Sequence, residues 1–431
     1  MNRENVPEEQ RYPARPLIHG DSALGRMTMQ KVLAMILAGG KGERLYPLTK
    51  DRTKPAVPFG GIYRIIDFTL SNCVNSNVRR IYVLTQYKSI SLNRHVQLGW
   101  NMFSSQLGEF ISLIPAQQRV DESWYKGTAD AVFQNFYTLQ QEKSDLVLIL
   151  SGDHVYKMDY NEMIQYHLEK EADLTVGTIQ MPSRTSREFG VIEVDDEYRV
   201  VGFQEKPEHP RTLPGNPEAI LASMGIYVFN TEMMVRRLIQ DAKRKGSTHD
   251  FGRDVIPSMV ATRDRVYAFS FWDEEREEPN YWRDVGTLDA YWDANMDLVS
   301  AIPQFNLYDF QWPIHTYYAP FPPAKTIHSE DGQTGVAVNS ILSGGCIVSG
   351  AKIEHSILGP NVKVHGHAEV TDSIILEGVT VARHARIRRT IIDKGITVPE
   401  GMEIGLNLNE DRKKFTVTGT DIVVVPKGMR L

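Results

Sequence analysis

Five charged side chains in the first two thirds of the chain could together handle phosphate: Arg44, Lys54, Asp153, Lys206 and Asp284. Arg44 and Lys54 follow the turn Gly39-Gly40-Lys41-Gly42. Glycines there let the backbone turn sharply and bring its N–H groups onto an anion. Asp153, in SGDHVY, ends an apolar run, where a carboxylate can bind Mg²⁺ with phosphate oxygens completing the shell. Asp284, in YWRDVGT, is the candidate second carboxylate. Glu205-Lys206-Pro207 sets a carboxylate beside an ammonium, which suits the hydroxyls and phosphate of a sugar phosphate. Asp250, in HDFG, could accept a sugar hydroxyl. Each has a plainer explanation, since Asp commonly caps helices and turns and a Glu-Lys dipeptide is commonly a solvated pair.

These residues need a scaffold that brings strand ends together. Val32 to Leu37 is an unbroken apolar run and predicts a strand buried on both faces. IYVLTQY (81–87) and DLVLIL (145–150) predict further strands, and a helix is expected from Arg64 through Asn72. FGVIEVD and VVGFQEKP predict a hairpin, and ASMGIYVFN another strand with Ser223 near its start. Alternating helices and strands with short gaps predict an open, mostly parallel α/β sheet with helices on both faces, and such sheets bind ligands beyond the carboxyl ends of their strands. Gln86 and Lys88 fall there, but polar residues end most strands. WYKGTADAV holds Tyr125 and Gly127 at a predicted helix start, where a glycine lets a base lie against backbone, or where Thr128 merely caps the helix. The Walker pattern fails because Arg44 stands where its Gly-Lys-[Ser/Thr] block must begin, and the dinucleotide fingerprint fails at Leu45.

At 431 residues two domains are the natural expectation. A net charge of −6 argues against nonspecific nucleic-acid binding. Cys73 and Cys346 make neither a disulfide framework nor a zinc spacing. No apolar run reaches membrane length, and the first thirty residues lack the apolar core of a signal peptide, so a cytoplasmic protein with an N-terminal tail (1–30) is expected. A catalytic domain (31–305) precedes a proline- and aromatic-rich linker (306–335) and a repeat domain (336–431). Units beginning at Ser340, Ser356, Ser373 and Thr390 are spaced by 16, 17 and 17 residues, with aliphatic residues roughly every six positions. That period predicts a left-handed parallel β-helix. Acyltransferases also use such helices, and His355, His365, His367 and His384 suit that reading, but the stack is short and these are expected at turns.

Taken in order, LAGGKGERL, TKPAVPFGG, RIIDF, WYKGTADAV, SGDHVY, EKP, ASMGIYVF, HDFG and YWRDVGT resemble the bacterial ADP-glucose pyrophosphorylases of the sugar-phosphate nucleotidyltransferase family. The resemblance runs from Lys31 onward and implies the reaction of ATP with glucose 1-phosphate to ADP-glucose and pyrophosphate, for glycogen synthesis. It further implies that Tyr125, Gly190, Glu205, Lys206, Ser223 and Asp250 hold glucose 1-phosphate. Gly39, Gly40, Gly42, Gln117 and Gly127 would surround the nucleotide. Arg44 and Lys54 would stabilise the departing pyrophosphate, and Asp153 and Asp284 would hold Mg²⁺. His154 is read as structural. A homotetramer with small-molecule allosteric effectors is implied, with Lys50, Arg52 and Arg64 in the effector region. Asp51 and Pro58 depart from the enterobacterial pattern there, as does Gln141, which leaves the activator and inhibitor open. The alternatives are a nucleotidyltransferase using UTP, dTTP or GTP, and a non-catalytic regulatory subunit, which would be expected to lose the charged residues that this chain keeps.

Overall fold

The computed structural model describes residues 32–117, 124–213 and 215–431, so the tail expected at 1–30 lies outside the described residues. The apolar run forms strand β1 (Val32–Leu37). It pairs in parallel with β2 (Arg80–Thr85) on one side and β4 (Leu146–Ser151) on the other, and β2 pairs in parallel with β3 (Phe110–Pro115). Successive side chains on a strand face opposite ways. Val32, Ala34 and Ile36 accordingly enter one core while Leu33 and Met35 enter the other. Helices α1 (Ile65–Asn75), α2 (Ile90–Gly99) and α4 (Tyr160–Glu169) cover the first face through Ile66, Leu70, Leu92, Val96 and Met163. Helices α3 (Thr128–Phe133), α5 (Thr231–Ala242) and α6 (Ile256–Ala261) cover the second through Val132, Met234, Leu238 and Met259. Burial on both faces explains why β1 shows no polar alternation.

Beyond β4 the sheet turns antiparallel. The twelve-residue β9 (Ala219–Asn230) runs against β4, β6 (Leu174–Pro182) and β7 (Gly190–Val194), and β8 (Val200–Glu205) closes the expected hairpin with β7. β10 (Val266–Ser270) adds to β6 in parallel. Register along β9 shifts between Ser223 and Tyr227, with Gly225 at φ 68°, a conformation that glycine enters without strain. A short two-stranded ribbon pairs β5 (His154–Tyr156) with β11 (Trp282–Asp284), which fixes Asp284 opposite His154.

The C-terminal domain is three stacked parallel sheets, the left-handed β-helix expected from the period. One corner explains the Ser/Thr at each repeat start. Ser356, Ser373 and Thr390 each donate a backbone N–H to the hydroxyl one coil earlier, at 3.1 Å, while that hydroxyl donates to a carbonyl two residues back along the chain. Polar groups at a buried corner are thereby satisfied coil by coil. Lys325–Ile327 already pairs in parallel with Ile347–Ser349, so the first rung lies inside the stretch expected to be linker. That rung is exposed and follows prolines, so it carries no aliphatic period to read. His355, His367 and His384 take left-handed corner conformations, in keeping with turn roles.

The two domains share one apolar core, in which Leu288 and Trp292 of α7 (Leu288–Asp297) pack with Ile357, Ile374 and Ile391. Across this boundary Arg52 Nη2 donates to both oxygens of Asp393 at 2.8 Å, and Trp292 Nε1 donates to the Asp372 carbonyl at 3.1 Å. Among the described residues no helix is long and apolar enough to cross a membrane.

Candidate active site

A cleft of about 680 Å³ opens beyond the carboxyl ends of β1, β2 and β4. Gly39, Gly40, Gly42, Arg44, Lys54, Tyr125, Gly127, Asp153 and Asp250 all line it. The turn after β1 reaches φ 64° at Gly42, and a side chain there would press on Thr49 and the Lys54 stem at 3.1 Å.

At the floor, Lys54 Nζ lies 2.7 Å from Asp284 Oδ1 and 2.9 Å from Asp153 Oδ2. Burial alone would lower the Lys54 pKa, but Asp153 and Asp284 together outweigh it and hold it raised. Burial alone would raise the Asp153 pKa, yet Lys54 first, then His154 and the hydrogen bond from Ser151, hold its carboxyl well below the usual range. Both groups are therefore charged at neutral pH. Arg44 Nη2 stands 3.8 Å from Asp284 Oδ2 with its side chain largely in the open. His154 Nε2 is 3.5 Å from Asp153 Oδ1. Burial lowers the His154 pKa more than the two carboxylates raise it, so its imidazole is neutral. Its buried Nδ1 has no hydrogen-bond partner among the described residues. Asp153, His154 and Asp284 offer ligand atoms all within 4.8 Å of one another. Two hard carboxylate oxygens suit a magnesium-like ion, and His154 is better placed beside it than as a preferred ligand.

Gly190, Glu205, Lys206 and Ser223 are not among the cleft-lining residues, and Glu205 adjoins the cleft through Asp250. Gly190 is required by packing, since a Cβ there would sit 2.5 Å from the Phe203 ring and 3.2 Å from Glu205 Oε2. Burial, opposed by Lys206 and helped by Asp250, raises the Glu205 pKa. Lys206 follows in a left-handed conformation at φ 50°, its Nζ 4.0 Å from Glu205 Oε1 and its side chain half exposed. Ser223 Oγ accepts from Gly225 N–H at 3.4 Å and lies 3.5 Å from the Tyr227 hydroxyl, at the β9 register shift. That shift faces Ser151 and His154, so the Ser223–Tyr227 and carboxylate clusters adjoin.

Two glycine and aspartate expectations acquire different physical reasons. A Cβ on Gly127 would lie 2.3 Å from the His249 carbonyl oxygen and 2.5 Å from that of Thr248. The glycine therefore admits the protein's own backbone, whose His249 carbonyl accepts from the N–H groups of Ala129 (2.9 Å) and Asp130 (3.2 Å). Thr128 is not the helix cap. Its hydroxyl donates to Asp250 Oδ2 at 2.9 Å and accepts from Phe251 N–H at 3.0 Å. Asp250 Oδ1 in turn accepts from the N–H groups of Gly252 and Arg253, so this carboxylate ties the site together as well as lining it. His249 Nδ1 pairs with Asp241 at 2.8 Å and fixes the same loop.

Gln117 is exposed after β3 and is not among the cleft-lining residues; 118–123 lie outside the described residues. Gln86, discounted in the sequence as an ordinary strand-end polar residue, lines the cleft with a buried Nε2 that has no partner among the described residues. Lys88 is held away by the Thr49 carbonyl at 3.1 Å. Arg52 and Arg64 lie outside the cleft lining, near the domain boundary, and Lys50 is exposed. Arg64 donates to the Ala56 carbonyl and Ser91 Oγ, and Arg52 is committed to Asp393.

Comparison with known proteins gives the same picture in outline. The family described as nucleotidyl transferase matches residues 33–301, and the GlmU-like C-terminal hexapeptide family matches 322–425. A glucose-1-phosphate adenylyltransferase of Nitrosococcus oceani is 53% identical over 406 residues, covering 94% of this chain and 96% of that protein. Those of Methylococcus capsulatus and Koribacter versatilis are each 51% identical, covering 95% and 94% of this chain and 96% and 97% of those proteins.

Proposed function

This chain belongs to the glucose-1-phosphate adenylyltransferases of the nucleotidyl transferase family, and from that premise we propose how its cleft transfers AMP from ATP to α-D-glucose 1-phosphate. The carrying observation is a cleft lined by the glycine turn, Lys54, Asp153 and Asp250, with Glu205 and Lys206 outside its lining but beside Asp250.

In this reading Gly39, Gly40, Gly42 and Gly127 border the nucleotide, and the unpartnered Gln86 amide is available to it. Tyr125, Gly190, Glu205, Ser223 and Asp250 hold the sugar, and Lys206 grips its phosphate. Asp153 and Asp284 would hold Mg²⁺, which when bound neutralises phosphate charge. A phosphate oxygen of glucose 1-phosphate attacks the α-phosphorus in line as the bond to pyrophosphate breaks. Lys54 and Arg44 stabilise the negative charge that collects on the leaving group. No protein nucleophile is required, so positioning and charge supply the rate.

The cytoplasmic location, glycogen role, homotetramer and effector response belong to the same proposal. For the effector site, Lys394 supports it: burial lowers its pKa, Glu377 opposes this, and Arg64 and Arg52 lower it further, so three cations lie within electrostatic reach at the domain boundary. The test of the cleft is kinetic. Asp153→Ala should abolish turnover with the fold retained, and Lys206→Ala should raise the KM for glucose 1-phosphate by about tenfold or more with a smaller change in kcat. Near-normal turnover in Asp153→Ala would refute the assignment.

A further inference from the structure

The inference concerns Lys54 and rests on reading Asp153 and Asp284 as the carboxylates that take a divalent cation. The Lys54 ammonium stands where those carboxylates converge, 2.7 Å from one and 2.9 Å from the other, on a side chain only 8% exposed. A divalent ion brought to the same oxygens would sit within a few ångströms of that ammonium. Like charges so close, and so poorly solvated, repel strongly. The oxygens cannot fully serve both cations at once.

Lys54 has somewhere else to go. Its stem lies directly under the left-handed turn at Gly42, where the absence of a Cβ leaves the stem its space. It also lines the same cleft as Gly39, Gly40 and Gly42. Because its stem and that turn border the same cleft, rotation about its own side-chain bonds would direct the ammonium from the carboxylates towards the glycine turn.

We propose that Lys54 is an exchangeable internal cation, which pairs with Asp153 and Asp284 in the empty enzyme and yields them to a divalent ion as it turns to the phosphates. Arrival of the cation and capture of the phosphates are then coupled through one side chain. The empty enzyme holds no free carboxylate pair and binds divalent ions weakly.

The experiment measures Mn²⁺ binding without nucleotide, from the electron paramagnetic resonance signal of the free ion. Wild type is compared with Lys54→Met, Lys54→Gln and the double variant Asp153→Asn/Asp284→Asn, each checked for folding by circular dichroism. Lys54→Gln keeps an amide donor for the carboxylates and removes only the charge. Both Lys54 variants should bind Mn²⁺ at least tenfold more tightly than wild type, and the double variant should lose the site. Equal affinity in wild type and both Lys54 variants, with loss in the double variant, would overturn the exchange and leave the metal site standing. No carboxylate-dependent Mn²⁺ binding in any of the proteins would overturn both. A second measurement uses the unaltered chain. Acetylation of Lys54 by an N-hydroxysuccinimide ester, mapped by mass spectrometry, should rise several-fold on adding Mg²⁺ and not on adding K⁺; no rise would equally overturn the exchange.

Discussion

Substituting Gly127 by Ala tests whether the loop at 248–250 sets the geometry of the cleft. The new Cβ would lie 2.3 Å from the His249 carbonyl oxygen, whereas ordinary contact begins near 3.4 Å. Both atoms are tethered to backbone, so relief requires a displacement of about 1 Å. That movement strains the bonds from Ala129 and Asp130 to the His249 carbonyl, and the Thr128–Asp250 bond beside them. A misplacement of about 1 Å in a positioning element costs a rate on the order of 100-fold, or about 2.7 kcal/mol of transition-state stabilisation. Because the loop joins Gly127, proposed to border the nucleotide, to Asp250, proposed to hold the sugar, kcat/KM should fall for both substrates. Steady-state pyrophosphate release, with each substrate varied in turn, measures it, and circular dichroism reports whether the fold survives. A kcat/KM within about threefold of wild type for both substrates would refute the reasoning.

Two further outcomes concern stability. Asp393→Ala strips the buried Arg52 guanidinium of the carboxylate that holds it across the domain boundary, and breaking a buried pair from one side costs about 3–5 kcal/mol; an unfolding free energy from urea titration lowered by less than about 1 kcal/mol would contradict this. Burial lowers the pKa of His167 from 6.5 to about 4, against which the nearby Asp173 acts only in part. Its neutral ring is bonded to Thr175 Oγ1 at 2.8 Å. Between those values the unfolded chain binds a proton that the native state refuses, so stability falls as pH drops from about 6.5 to about 4, by up to about 3 kcal/mol. Denaturation midpoints at pH 7.5 and 4.5 should converge in His167→Gln by that margin, and an unchanged difference would contradict the assignment.

Much of this fold was legible because local pattern and tertiary role agree. β1 reads as a doubly buried strand since both of its faces are covered, and the repeat starts at Ser356, Ser373 and Thr390 read as a period since each hydroxyl serves the next coil. The first rung at Lys325–Ile327 was hidden because exposure removes the apolar signal. In the cleft, single residues were legible and their partners were not. Lys54 and Asp284 are 230 residues apart, and Arg52 and Asp393 are 341 apart, distances over which sequence spacing carries no geometry. Gly127 was legible as a glycine that must be there, but the close approach that requires it comes from His249, more than a hundred positions later. Gln86 was noted at a strand end and discounted, and His154 was read as structural, because only the fold reveals that among the described residues a buried amide and a buried imidazole nitrogen lack partners.

The most direct test of the central claim is pyrophosphate release with Mg²⁺ and glucose 1-phosphate, comparing ATP, UTP, dTTP and GTP with the wild-type chain. Strong preference for ATP, with ADP-glucose as the sugar product, is the predicted result. Preference for another nucleotide, or no release with any of the four, would contradict it.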